Sequence, residues 1–329
     1  MTASMQGGER GISILLAVYE PRLDWLREQL SSLEAQSCRD VRLYVRDDCS
    51  PTVPLEEIEG CVRECIRSMP WELRRNEENV GSSRTFERLT QEACGEYFAY
   101  CDQDDIWLPE KLEELRRELE ESGAVLACSD MYIIDGEGRQ RADSMTKVRR
   151  RHRFRSGKDL AEGLLISNFA AGCTMLVRAG AAKAAVPFCP YMVHDHYIAL
   201  CCAAAGGEIR SVPRPLIRYR IHGGNQTGLL AGVDSRESYL ELRVRALCRR
   251  LEWLAQHLPA QSPQLHAAIL DRLLWARARA ANLERRGGGS VVWAYRRFSP
   301  LPCVFELFAA WMPGWAFRLA IACGKLDLI

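Results

Sequence analysis

Apolar residues fall along this chain in two rhythms. In the first half, apolar runs alternate with stretches where leucine recurs every third or fourth position. The run ISILLAVY, Ile12 to Tyr19, reads as a strand buried on both faces. Leu23, Leu26, Leu30 and Leu33 follow at helical spacing. VRLYV, Val41 to Val45, predicts a second strand, ended by RDDCSP. A helix is expected from Leu55 to Met69 and a short strand from Trp71 to Arg74. NEENVGSSRTF reads as a loop leading into a helix from Arg84 to Ala93. YFAYC, Tyr97 to Cys101, is the next strand. Leu112, Leu115 and Leu119 mark an amphipathic helix, and AVLACS a further strand. Strands alternating with helices predict an α/β fold on a mostly parallel, doubly wound sheet.

The second half changes rhythm. DGEGRQRADSMTKVRRRHRFRSG is polar and basic and reads as a mobile loop, and CTMLVR as a strand. From Ser235 the pattern is helical. Leu240, Val244, Leu247, Leu251 and Leu254 form one stripe, and Leu265, Ile269, Leu273, Ala276 and Leu283 a second, which RRGGGS ends. No internal repeat is present.

Composition narrows the class. A chain of 329 residues, 47% hydrophobic and 26% charged, has room for one large domain and an appendage. A net charge of +1 gives no footprint for nucleic acid. The opening MTASMQGGERG is polar and lacks the apolar core of a signal peptide, so a cytoplasmic location is expected. The 14 cysteines show no CxxC and no zinc-ligand spacing. They read as reduced thiols that pack as small hydrophobes.

The chemistry concentrates at strand ends. In open α/β sheets, ligands bind outside the carboxyl ends of the strands. Asp47 and Asp48 follow the second strand, and Asp102, Asp104 and Asp105 follow YFAYC. Carboxylates of like sign repel, so a cation belongs among the second group. Oxygen donors suit Mg²⁺ or Mn²⁺, and Mg²⁺ completes its shell with phosphate and water, which points to a nucleoside diphosphate. Helix capping alone would need one aspartate rather than three.

The segments ISILLAVYE, RDDCSP, NEENVGSSRTF, CDQDDIWLPEKL, NFAAGCTMLVR, HDHYIAL and IRYRIHGGNQTG occur in this order. Together, over residues 10 to 230, they resemble the inverting nucleotide-sugar glycosyltransferases of family 2, with the GT-A fold, in their rhamnosyltransferase-like branch. DDCSP departs from the commoner DDGS by placing Cys49 where glycine is usual. The resemblance implies a GT-A domain over residues 11–232, after a disordered 1–10 and before a helical region at 233–329. It implies that Tyr19, Asp47 and Asp48 meet the donor's base and ribose. Gly81 and Arg84 belong to a loop over the nucleotide, and Asp102 and Asp104 form the D-x-D motif. Asp104 and His222 are the implied metal ligands for Mg²⁺ or Mn²⁺, and Arg218 or Arg220 a partner for the diphosphate. Asp195, at a helix start, is the implied general base, with His194 and His196 structural or facing the acceptor. Gly223-Gly224 is read as a closing loop. The expected partners are a dTDP- or UDP-sugar, with dTDP-L-rhamnose favoured, and a cell-surface glycan or lipid-linked acceptor. The expected reaction is metal-dependent inverting transfer. The alternative is a non-catalytic nucleotide-sugar-binding module, which would need no base at Asp195.

Beyond residue 235, arginines are interspersed with Trp275, Trp293 and Tyr295, and VFELFAAWMPGWAFRLAIACG follows. Its length approaches a bilayer span, but Glu306, Arg318 and the Met-Pro-Gly break argue against spanning. Two readings stand: an interfacial segment on the inner face of a membrane, or helices packed on the core or in a homodimer.

Overall fold

The computed structural model describes residues 11–149, 152–223, 232–258, 262–297 and 300–325. The expectations for residues 1–10 and for Gly224 lie outside the described residues. The chain divides into two compact units, Met1–His222 and Gly223–Ile329.

The first unit opens with β1 (Ile12–Val18), α1 (Leu23–Glu34), β2 (Val41–Asp47), α2 (Leu55–Cys65), β3 (Trp71–Arg75), α3 (Ser82–Glu92) and β4 (Tyr97–Cys101). It continues with β5 (Ile106–Trp107), α4 (Lys111–Ser122), β6 (Leu126–Ile134), β7 (Gln140–Ala142), α5 (Met145–Val148) and α6 (Ala161–Leu164). β8 (Met175–Arg178), α7 (Ala179–Ala184), α8 (His194–Ala204) and β9 (Ile209–Arg220) complete it. The sheet runs β3-β2-β1-β4-β8-β6-β9-β5, with β7 on the side of β6. The first four strands are parallel. β8 is antiparallel to both its neighbours, β4 and β6, and β9 runs parallel to β6. The sheet is therefore mixed. The segment expected to be one loop after Ile134 contains β7 and α5, and the helix expected to reach Met69 stops at Cys65.

The apolar runs are buried as their pattern requires. Ile12, Ile14, Leu15, Leu16 and Val18 of β1 are all inaccessible, and α1 sets Leu26, Leu30 and Leu33 against the sheet. α4 does the same with Leu112, Leu115 and Leu119. Truncating any of these leucines to alanine costs about 2–5 kcal/mol. The packing fixes the carboxyl ends of β1, β2 and β4 side by side.

The second unit is helical: α9 (Arg236–Tyr239), a π-helical stretch Leu240–Arg245, α10 (Ala246–His257), α11 (Pro263–Leu283), α12 (Gly289–Ala294), α13 (Pro300–Ala309) and α14 (Gly314–Lys325). Both predicted stripes face inward, with Val244, Leu251, Leu254, Ile269, Ala276 and Leu283 buried. Ser262 caps α11 by accepting from Leu265 N–H, with Pro263 in the first turn, where its missing N–H costs nothing. Glu306 is buried because Arg279 and Tyr239 bind it: Arg279 Nε donates at 2.7 Å and the Tyr239 hydroxyl at 2.6 Å. A turn at Pro313 separates α13 from α14. Among the described residues no helix is long and apolar enough to cross a membrane.

Candidate active site

Two acidic turns stand at the ends of β2 and β4, the strands on either side of β1. At the end of β2, Asp47 accepts from Ser50 N–H at 3.2 Å and Ser50 O–H at 2.5 Å, and pairs with Arg75 Nε at 3.0 Å. Asp48 accepts from Asn76 Nδ2 at 2.7 Å, Val80 N–H at 2.9 Å and Gly81 N–H at 2.8 Å. These bonds hold the 76–81 loop in place before α3. Gly81 has φ +83°, which only glycine adopts without strain. Cys49, where the resemblance expects glycine, is itself left-handed at φ +59°. The turn keeps its shape at a cost of about 1–2 kcal/mol.

The second turn follows β4. Gln103 uses both ends of its amide on Tyr19, accepting from the Tyr19 N–H at 2.8 Å and donating to its carbonyl at 3.0 Å. The Tyr19 residue is left 44% exposed. Asp104 and His222, the two residues expected to hold a metal, touch: His222 Nε2 lies 2.7 Å from Asp104 Oδ2. The His222 ring packs on Trp25 at 4.8 Å between centroids. Asp102 is half-buried. Burial, then the charges of Asp104 and Asp195, push its carboxyl up to about 7. Asp105 is fully buried, and one of its oxygens takes the Arg220 backbone N–H at 2.9 Å while the other has no partner. Burial first, then Asp104 and Asp102, raise it well above the carboxylate range.

A lysine sits beneath these acids. Lys111 is fully buried at the start of α4, donates to the Cys173 carbonyl, and lies 3.0 Å from the Trp107 ring centroid. Burial lowers its pKa to about 7, with Cys173, Cys101, Asp105 and Asp102 opposing that fall. The sequence pattern gives no sign of this role.

Asp195 lies in the first turn of α8, whose N-cap residue is Val193. Its Oδ2 accepts from Gly172 N–H at 2.8 Å and its Oδ1 from the His196 N–H at 2.5 Å. Gly172 is required here because a Cβ would lie 2.7 Å from His194 Nε2. Burial raises Asp195 to about 6, and the bonds from Gly172 and His196 limit the rise. His194 is buried against Phe86 and Tyr100 and is held neutral by burial, at about 3. His196 reaches the Leu164 carbonyl at 2.6 Å. Both histidines therefore brace α8.

The arginines separate. Arg218 is exposed on β9. Arg220, expected at a diphosphate, is buried and committed to protein oxygens, which corrects that expectation. Its Nε donates to Asp104 O at 2.8 Å, and one terminal nitrogen reaches the Asp135 and Gly136 carbonyls at 3.3 Å each. The other pairs with Glu28. Arg220 is a strut that fixes the backbone of the acidic turn. Arg84 is 47% exposed and pairs with Glu87 at 2.8 Å.

As donors for a hard cation, the carboxylates of Asp102 and Asp104 fit, with the His222 imidazole a borderline donor beside them. Deeper, Asp102, Asp105 and Cys173 place one ligand atom each within 4.8 Å of one another. When protonated, Lys111 opposes the rise at Asp102 and Asp105.

The same fold occurs in solved enzymes. TarS residues 1–349 from S. aureus, in complex with UDP-GlcNAc, superposes with a TM-score of 0.57 at 14% identity, covering 96% of this chain and 92% of that one. The mannosyltransferase PcManGT from Pyrobaculum calidifontis, in complex with GDP-Man and Mn²⁺, gives 0.58 at 13% identity, covering 97% and 86%. The mixed sheet with its acidic strand ends is thus the GT-A fold of glycosyltransferases. Residues 13–183, more than half of the chain, match the family described as Glycosyl transferase family 2, and the chain belongs to that family. An uncharacterized glycosyltransferase of Nostoc sp. (strain PCC 7120) is 23% identical over 233 residues, 69% of each chain.

Proposed function

We propose that the first unit transfers a sugar, with inversion, from a nucleoside-diphosphate donor to a hydroxyl. The observation that carries this reading is the convergence of Asp102, the Asp104–His222 pair and Asp195, whose charge acts directly on Asp102. Asp102, Asp104 and His222 would hold Mg²⁺ or Mn²⁺, which supplies charge stabilisation to the departing diphosphate. Tyr19 and the Asp47–Asp48 turn receive the base and ribose, and the Gly81–Arg84 loop covers the phosphates. Arg218 is the exposed arginine at the diphosphate. Asp195 removes the acceptor's proton as that oxygen attacks the anomeric carbon. A carboxylate near 6 is ionised at neutral pH yet basic enough to take a proton. The positioned base also favours an enzyme over a mere binding module.

The rhamnosyltransferase-like segments CDQDDIWLPEKL and IRYRIHGGNQTG support dTDP-L-rhamnose as donor and a cell-surface glycan or its lipid-linked precursor as acceptor. Two solved neighbours bind UDP-GlcNAc and GDP-Man, so the base is the open variable. A thermal-shift panel of dTDP-, UDP- and GDP-sugars with and without Mn²⁺ tests the reading, because a ligand of the native state raises apparent stability. The expected result is a metal-dependent shift, largest with dTDP-L-rhamnose. No shift with any nucleotide sugar would reject the donor site. A larger shift with another base would reject the rhamnosyl assignment alone.

A further inference from the structure

The second unit turns large apolar side chains outward. Val304, Phe308 and Trp311 follow one another at helical spacing on α13 and the turn after it, exposed by 42, 60 and 65%. Trp315 and Leu319 are one turn apart on α14, exposed by 67 and 59%. The other sides of these helices fill the unit's core through Ala309, Phe317 and Ile321. Each helix thus has one apolar face buried and a second with water as its neighbour. Soluble proteins rarely leave aromatic surface of this kind bare unless something docks on it.

Charge indicates what docks. Residues 223–329 carry 14 Lys/Arg against eight Asp/Glu, a net of +6, while residues 1–222 net −5. Across residues 285–325 there are six Lys/Arg and one acid, Glu306. That acid is buried and held by Arg279. The exposed arginines lie beside the exposed rings. The Arg285 guanidinium sits 4.6 Å above Trp311, and Arg296 4.5 Å above Trp293. Arg318 is exposed on α14, one turn from Trp315.

We propose that this face docks on a membrane surface rich in anionic lipid. Tryptophan prefers the headgroup region, where its ring is buried and its N–H stays wet. Arginine beside it meets lipid phosphate. The short helices, broken at Pro313, suit lying in the interface and not crossing it. A second copy of the chain fits less well, because pairing two such faces would bring like-charged arginines together.

The test uses the full-length protein with two kinds of vesicle: phosphatidylcholine alone, and phosphatidylcholine with phosphatidylglycerol. We expect co-sedimentation with the anionic vesicles, at least about tenfold stronger than with the neutral ones and weakened by salt. The double substitution Trp311→Ala/Trp315→Ala should weaken it by about tenfold or more. Arg318→Glu, which leaves the apolar face intact, should weaken it less. Both variants should keep the wild-type melting temperature, since the altered side chains are exposed. Equal binding to both vesicles, or binding indifferent to the substitutions, would overturn the proposal. So would a concentration-dependent dimer that the double substitution abolishes, for the face would then be a self-interface.

Discussion

Asp47–Asp48 and Asp102–Asp105 look alike in sequence and follow the two strands that flank β1, yet their surroundings are opposite. The first pair is saturated with donors: Ser50, Arg75, Asn76 and two backbone N–H groups. The second is starved. Asp105 keeps an oxygen without a partner, and Asp102 and Asp105 are both driven up by burial and by each other's neighbours. The saturated pair fixes the shape of its turn, while the starved group keeps acceptor capacity to spare. The number of acids in a motif does not distinguish the two; the donors arriving from elsewhere in the chain do.

The largest test of this contrast is at Asp195, the acid that bears on the starved cluster. Asp195→Asn should leave donor binding nearly unchanged and lower transfer by about two to four orders of magnitude, with a stability cost of about 1–3 kcal/mol because its amide faces the Gly172 or His196 N–H. Wild-type turnover should also fall about tenfold per pH unit below about 6, as the base becomes protonated. Near wild-type turnover of the variant at saturating substrates would remove Asp195 from the chemistry.

Paired asparagine substitutions sharpen the contrast directly. Asp48→Asn turns an amide toward donors and should cost about 1–3 kcal/mol, read by denaturant unfolding. Asp104→Asn removes a charge from a repelling group, so stability should hold or rise slightly while the Mn²⁺-dependent shift with a nucleotide disappears. If Asp104→Asn destabilised as much as Asp48→Asn, the two turns would not differ as described.

The smallest expected effect is at Cys49. Cys49→Gly relieves the left-handed strain at φ +59° but adds chain entropy to the unfolded state. A net gain of about 0.5–1 kcal/mol is expected. A loss in the melting temperature would show that the thiol packs better than its backbone suggests.

Much of the first unit was legible because its signals are local. Buried parallel strands must be apolar throughout, and β1, β2 and β4 are. The helix stripes of α1 and α4, and both stripes of the second unit, follow from spacing. The antiparallel course of β8 was not legible, since MLVR reads the same in either direction. In the site, the ordered segments pointed to Asp102, Asp104, Asp195 and His222, of which the structure sets Asp104 against His222 and lets the charges of Asp104 and Asp195 act on Asp102. Arg220 was misread because alternation in a strand reports a shared face and not whether that face is filled. Lys111, Gln103 and Gly172 act through contacts 62, 84 and 23 residues away in the chain, which no local pattern encodes.

The clamp of Gln103 on Tyr19 has a wider consequence. A carboxamide carries a donor and an acceptor on one flat group of fixed size. Bonding both to a single backbone residue sets the separation and the tilt between the ends of β1 and β4, as a ruler would. The proposed platform for the nucleoside and the proposed metal ligands are then calibrated to each other by one side chain. Glutamate would lose the donor and lysine the acceptor. The middle letter of this D-x-D is thus a gauge residue, setting a spacing that neither aspartate fixes alone.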